Sequence, residues 1–208
     1  RVVGHMVQEG CIAKLADDLY CGGNTPVELL ENFTRLLDAL DKCGLRLSAK
    51  KTIICPKSTT VLGWIWQDGS IRASPHRIST LCQAKPPTTV KGMRSFIGAY
   101  KFLSRVLPDC ATVISPLDDA IAGMSSQEKV VWTESLQTHF ANAQDQLRQH
   151  KSITLPRSTD KLWIVTDGSV KRTGIGSTLY VSRGKQLLLA GFFSAKLSKH
   201  HSRWLPCE

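Results

Sequence analysis

Two adjacent carboxylates, Asp17-Asp18, stand between apolar runs, Cys11-Ile12-Ala13 on one side and Leu19-Tyr20-Cys21 on the other, with Gly22-Gly23 beyond. Two short apolar runs separated by a polar step predict a tight β-hairpin carrying Asp17 and Asp18 at its turn. Carboxylates held side by side repel, and a divalent cation between them removes that cost. Oxygen ligands suit Mg²⁺, which takes one or two protein carboxylates together with substrate phosphates. Paired ions about 3.5–4 Å apart can clamp an in-line phosphoryl displacement. Asp-Asp is also ordinary turn chemistry, because Asp hydrogen-bonds its own backbone.

Beyond the hairpin, Thr25-Pro26-Val27-Glu28 is a helix start: Thr as N-cap, Pro at the first helical position, Glu closing a capping box. Val27, Leu30, Phe33, Leu37 and Leu40 then repeat at helical spacing as a core stripe, and Gly44 is placed to end the helix. Leu45-Arg46-Leu47 and Thr52-Ile53-Ile54 read as short strands around Lys50-Lys51. Val61 to Trp66, the turn Gln67-Asp68-Gly69-Ser70 and Ile71-Arg72-Ala73 form a second hairpin. Ser74-Pro75 opens a short helix, and Pro86-Pro87-Thr88 is a stiff connector.

The helix from about Thr89 to Leu107, stopped by Pro108, has two faces. Val90, Met93, Ile97, Tyr100 and Leu107 mark a buried stripe. Lys91, Arg94, Gly98, Lys101 and Arg105 recur on another face, with no acid among them. A basic stripe interrupted by glycine lets a phosphate backbone lie close, and each cation adds salt-dependent affinity. The same stripe also serves as the solvent face of an amphipathic helix.

Ser115-Pro116 reads as a helix start containing Asp118-Asp119, with carboxylates favoured by the dipole and a structural role. Thr133-Glu134 caps a helix through about Gln149, with Leu136, Phe140, Ala143 and Leu147 as its seam. Pro156 to Asp160 is the best domain boundary in the chain. Leu162 to Ser169, Gly174 to Val181 and Leu187 to Ser194 then form an antiparallel meander, the last two joined by Ser182-Arg183-Gly184, and Trp204 to Glu208 enters a helix.

The net charge of +10 favours a polyanionic partner, nucleic acid being the commoner one. No apolar run of about 18 residues and no basic-then-apolar leader is present, which disfavours membrane and secretory classes. Seven scattered cysteines without a C-x-x-C spacing point to reduced thiols in an intracellular compartment, not to disulfides or zinc.

The order apolar-x-Asp-Asp, helix, Lys50-Lys51, Leu62-Gly63-Trp64, Pro86-Pro87 and Met93-Arg94-Ser95-Phe96-Ile97-Gly98 resembles the reverse transcriptase of gypsy-type LTR retrotransposons and retroviral Pol polyproteins. From Leu162 onward the chain resembles the opening half of the ribonuclease H domain that follows it. The resemblance implies an α+β fold: residues 1–84 as the C-terminal part of the palm with a catalytic and a primer-grip-like hairpin, 85–156 as thumb and connection, and 157–208 as the first part of a ribonuclease H-like domain.

By the same resemblance, Asp17 and Asp18 are catalytic metal ligands of the polymerase. Lys51, eleven residues before Leu62, approaches the leaving pyrophosphate; the alternative is a solvated loop lysine. Gly63 and Trp64, with Trp66, shape the surface beside the primer, or the tryptophans simply pack on the next helix. Lys91, Arg94, Gly98, Lys101 and Arg105 track the duplex. Asp167 and Glu208 are the ribonuclease H carboxylates, and Asp167-Gly168-Ser169 is also plain turn chemistry.

The implied cofactor is Mg²⁺ or Mn²⁺. The implied partners are an RNA–DNA or DNA template–primer duplex, deoxynucleotides and the remainder of the Pol polyprotein, in a cytoplasmic particle or the nucleus, without secretion or a membrane. Leu15 stands where such enzymes usually carry Tyr. A further palm Asp and the fingers would precede Arg1, so the chain reads as a catalytically silent fragment of an active parent. Two other readings stay open: a non-catalytic nucleic-acid-binding remnant, and a phosphate-hydrolysing α+β domain built around Asp167. The latter lacks a G-x-x-x-x-G-K-[ST] loop.

Overall fold

A computed structural model describes residues 2–169 and 174–197. It divides into two compact units, Arg1–Cys55 and Pro56–Glu208.

In the first unit a short helix α1 (Gly4–Gln8) precedes the hairpin of β1 (Ile12–Leu15) and β2 (Asp18–Cys21) and the long helix α2 (Pro26–Asp41). Leu15 pairs with Asp18, so the turn is Ala16-Asp17 and Asp18 begins the returning strand, which corrects the expectation that both aspartates occupy the turn. α2 starts where predicted: the Thr25 hydroxyl accepts from the Glu28 N–H at 3.1 Å. The Glu28 carboxylate reaches past Thr25 to accept from the Asn24 N–H at 2.8 Å. Gly44 takes φ 67°, and the Leu45 N–H closes the helix end on the Leu40 carbonyl at 2.9 Å.

Val3, Met6, Ile12, Leu36 and Leu40 form this unit's core, with Leu19, Cys21 and Phe33 packed against it. The expected α2 stripe is therefore rotated. Asn32, Leu36 and Leu40 are buried, while Val27, Leu30 and Leu37 are exposed. The cause is local, because the Asn32 side chain donates to the Gly22 carbonyl at 2.9 Å and turns that face toward the hairpin. Residues 45–47 and 52–54 form no strand, since neither run finds a partner. The Lys51 and Thr52 N–H groups instead close a turn on the Ser48 carbonyl.

The second unit opens with β3 (Ser58–Val61), β4 (Trp64–Gln67) and β5 (Ser70–Ala73). Leu62-Gly63 is a turn rather than strand. Its φ angles of 54° and 78°, like the 50° and 73° of Asp68-Gly69, are those of the tight turns whose twist matches antiparallel strands. A fourth strand, β6 (Ile153–Thr154), joins β5 from far along the chain and gives the order β3-β4-β5-β6. Ile71 and Ala73 point inward, onto α3 (Pro75–Cys82), α4 (Val90–Lys101), α5 (Cys110–Asp119) and α6 (Glu134–Leu147).

The buried seams of α4 and α6 are as predicted for Val90, Met93, Ile97 and Tyr100 on one and Leu136, Phe140, Ala143 and Leu147 on the other; Leu107, expected on the first, is buried but lies beyond the helix. α4 stops at Lys101, and the chain tightens into a 3₁₀ turn, Ser104–Val106. On a continued α-helix Val106 would lie roughly 120° from Tyr100. The tighter turn buries Leu103, Val106 and Leu107 together. α5 begins at Cys110 after Asp109, whose φ is 50°, so Pro116 lies inside the helix and Asp118-Asp119 at its end, not at a helix start.

β7 (Lys161–Ser169), β8 (Gly174–Arg183) and β9 (Gln186–Lys196) form the expected meander, with a bulge at Leu179/Tyr180. β9 lies on α5, where the Ala111 N–H donates to the Ser194 hydroxyl at 2.8 Å. No helix among the described residues is long and apolar enough to cross a membrane.

Candidate functional site

The β1–β2 hairpin presents its carboxylates outward. Ile12, Leu19 and Cys21 occupy the core side, and strand alternation places Ala13, Leu15, Asp18 and Tyr20 on the other face. Asp17 and Asp18 are exposed, and neither side chain makes a hydrogen bond or ion pair among the described residues. Two unneutralised neighbouring carboxylates fit part of the shell of one hard cation, which retains waters and takes the rest from substrate oxygens. No group of three or more His, Cys, Asp or Glu converges among the described residues, so a two-ion centre is not assembled from them. Lys51 lies on the exposed Ser48–Lys51 turn, with no side-chain bond to either aspartate.

The Leu62-Gly63 turn is held by three side chains. The Arg77 Nη2 donates to the Leu62 carbonyl at 3.1 Å, and its guanidinium lies 4.1 Å from the centre of the Phe102 ring. Phe102 in turn packs on Trp64, with ring centroids 5.3 Å apart. Trp64 is thus partly buried against the core, while Trp66 is exposed. Arg77 and Phe102 escaped the sequence reading, because only the fold brings residues this far apart onto one turn. The signal available was the Leu62-Gly63 step between two alternating runs.

On α4, Lys91, Arg94, Gly98 and Lys101 are exposed as expected, and a Cβ added at Gly98 would meet nothing within 4 Å. The cations are not equivalent. Arg94 donates to the Met124 carbonyl at 2.7 Å and the Ser126 hydroxyl at 3.0 Å. Lys101 pairs with Asp118 at 2.6 Å. Lys91 and Arg105 have no acid partner among the described residues. Arg105 lies off the α4 face, in the 3₁₀ turn, and lines an apolar cavity with Ile153, Leu155, Phe192 and Phe193.

Asp167 lies on β7 and lines a cleft of about 500 Å³ with Pro108, Asp109, Thr112, Gly176 and Ser194. Glu208, its expected partner, falls outside the described residues. Burial pushes the Cys110 thiol up to about 11 and raises the Tyr100 phenol.

No family model matches the chain. By sequence it is 29% identical over 199 residues to a Gag-Pol polyprotein of Woolly monkey sarcoma virus, which covers 94% of this chain and 11% of that protein. It is 26% identical over 200 residues to a Pol polyprotein of Feline endogenous virus ECE1, covering 96% and 18% respectively. A retrovirus-related Pol polyprotein from transposon opus of Drosophila melanogaster is 24% identical over 187 residues, covering 86% and 18%. The chain therefore spans under a fifth of the length of these relatives.

Solved structures also share its fold. A foamy viral protease-reverse transcriptase in complex with double-stranded DNA has a TM-score of 0.80 at 18% identity, over 99% of this chain and 36% of the other. The same kind of protein in complex with an RNA/DNA hybrid has a TM-score of 0.78 at 17% identity, over 99% and 27%. The α+β architecture and the likeness to a retroviral Pol segment thus rest on independent comparisons of sequence and fold.

Proposed function

We propose that this chain is a segment of an RNA-directed DNA polymerase with an attached ribonuclease H-like region, acting on a template–primer duplex. The observation that carries the proposal is the exposed, unneutralised Asp17-Asp18 pair on the outer side of a two-residue hairpin, in a chain whose relatives are Pol polyproteins. Those carboxylates would hold a divalent cation, Mg²⁺ or Mn²⁺. When bound, the cation supplies charge neutralisation at the phosphates of an incoming deoxynucleotide.

The chain's own residues do the positioning. Core packing of Ile12, Leu19 and Cys21 fixes the hairpin so that Asp18 faces outward. Lys51 places a cation on an exposed turn, where it can offset charge on a leaving pyrophosphate. The α4 face, with Lys91, Arg94, Gly98 and Lys101, offers the duplex backbone a basic track, and Gly63 with Trp64 offers a rigid turn beside it. Asp167 and Glu208 are assigned to the ribonuclease H chemistry. The chain alone is expected to bind duplex without extending a primer.

The test is binding of an RNA–DNA hybrid across a salt series, comparing the chain with a Lys91→Ala/Arg94→Ala/Lys101→Ala variant. Affinity that falls with salt, with a shallower slope in the variant, supports the reading. Binding indifferent to both salt and these residues overturns it, as does primer extension by the chain for the silent-segment part.

A further inference from the structure

Arg77 is an unneutralised cation held in a fixed position. Its guanidinium is pinned from two sides by groups that carry no net charge, the Leu62 carbonyl and the Phe102 ring. No carboxylate pairs with it among the described residues. A guanidinium has five N–H donors, and Arg77 spends one on Leu62.

Its backbone is fixed too, because the Arg77 N–H is capped by the Ser74 hydroxyl at 3.3 Å, and the Ser74 N–H donates to the Gly63 carbonyl at 2.9 Å. The need for glycine at position 63 has the same origin. A Cβ there would stand 2.5 Å from both Nε and Nη2 of Arg77, at a φ of 78° that L side chains rarely adopt. Gly63 thus makes room for a side chain of its own protein.

We infer that Arg77 is a phosphate-contacting residue of the duplex surface, a guanidinium oriented in advance by Phe102 and the Leu62 carbonyl for a backbone phosphodiester. The inference rests on the nucleic-acid reading above and adds to it a residue that the motif resemblance did not supply. Two features support an anion here. The charge has no internal counter-ion among the described residues, and the fork is oriented before binding so that less side-chain entropy remains to be lost. A cation needed only to brace the turn could be replaced by a neutral donor; a phosphate contact could not.

The experiment uses the whole chain and a fluorescently labelled RNA–DNA hybrid, with affinity measured across a salt series and thermal melting measured in parallel. Arg77→Gln is expected to make the slope of log affinity against log salt shallower by about 1, the loss of one phosphate contact. Arg77→Lys is expected to keep the slope while weakening binding, since an ammonium retains charge but not the planar fork that stacks on Phe102. A wild-type slope in Arg77→Gln overturns the role of Arg77 and leaves the thumb reading standing, and equal melting losses in both variants with unchanged slopes mark a purely structural brace. Absence of any hybrid binding by the unsubstituted chain overturns both readings.

Discussion

Arg183 grips the Asp160 carboxylate with two arms of its fork, Nε to Oδ1 at 3.0 Å and Nη2 to Oδ2 at 2.6 Å. The acid's side chain is only 3% exposed, and it also accepts from the Arg157 N–H at 2.8 Å, while Arg183 reaches on to the Leu155 carbonyl at 3.3 Å. The segment between β6 and β7 is thereby tied to the end of β8. Arg183 beside it holds the Asp160 carboxyl down at about 2, from an ordinary 3.8. A folded-state value below the unfolded one gives stability that is fully present above 3.8 and is lost as the pH falls toward 2. Asp160→Asn should therefore lower the midpoint of urea unfolding at neutral pH and flatten its decline across that acid window. An unchanged acid limb in the variant would show that the pair contributes nothing.

The second core is the place where volume matters most. Leu147 is fully buried on the α6 seam, whereas Val131 is 76% exposed. Leu147→Ala should cost about 2–5 kcal/mol in denaturant unfolding, the sum of lost transfer energy and the cavity left behind. Val131→Ala should stay within about 0.5 kcal/mol. Similar losses for the two would mean that the α6 seam is loosely packed.

Asp118 neutralises Lys101 on the basic helix at 2.6 Å, with both side chains about half exposed. The pair adds little to stability, at most about 1 kcal/mol for an exposed ion pair. Its larger effect is on the surface charge met by a polyanion. Asp118→Asn should leave melting nearly unchanged and tighten RNA–DNA hybrid binding at low salt, with the salt slope steeper by up to about one phosphate contact. Unaltered affinity would place the duplex elsewhere than on the Lys101 end of α4.

What could be read from sequence was what local chemistry decides. Thr25, Ser74, Thr89 and Thr133 each cap a helix through their own hydroxyls, and Leu136, Phe140, Ala143 and Leu147 are all core because only one side of α6 is apolar. α2 is apolar over a wider arc, so periodicity could not decide that Leu36 would be covered and Leu30 left out; the Asn32 to Gly22 bond decides that. β6 is two residues long and exists only because β5 offers it an edge, a long-range fact without a local signature. Lys101 looked free in a helix with no acid because its acid comes from α5. The Arg77–Phe102 clasp on Leu62-Gly63 was hidden for the same reason.

The hairpin turn combines strain with unused charge. Ala16 sits at φ 47°, a left-handed conformation that costs an L residue roughly 1–2 kcal/mol and suits glycine. Ala16→Gly should therefore be neutral or stabilising by up to about 1 kcal/mol, because relief of strain is partly offset by the greater freedom of glycine in the unfolded chain. Asp17→Asn and Asp18→Asn break no side-chain bond among the described residues, so each should leave stability within about 0.5 kcal/mol. Their effect should appear with metal. Titrating Mn²⁺ into the chain should broaden the NMR resonances of residues 15–19 first, and the double variant should lose that broadening while its folded spectrum is kept. Broadening that survives in the double variant would move the cation away from this hairpin and leave Asp17-Asp18 as turn residues only.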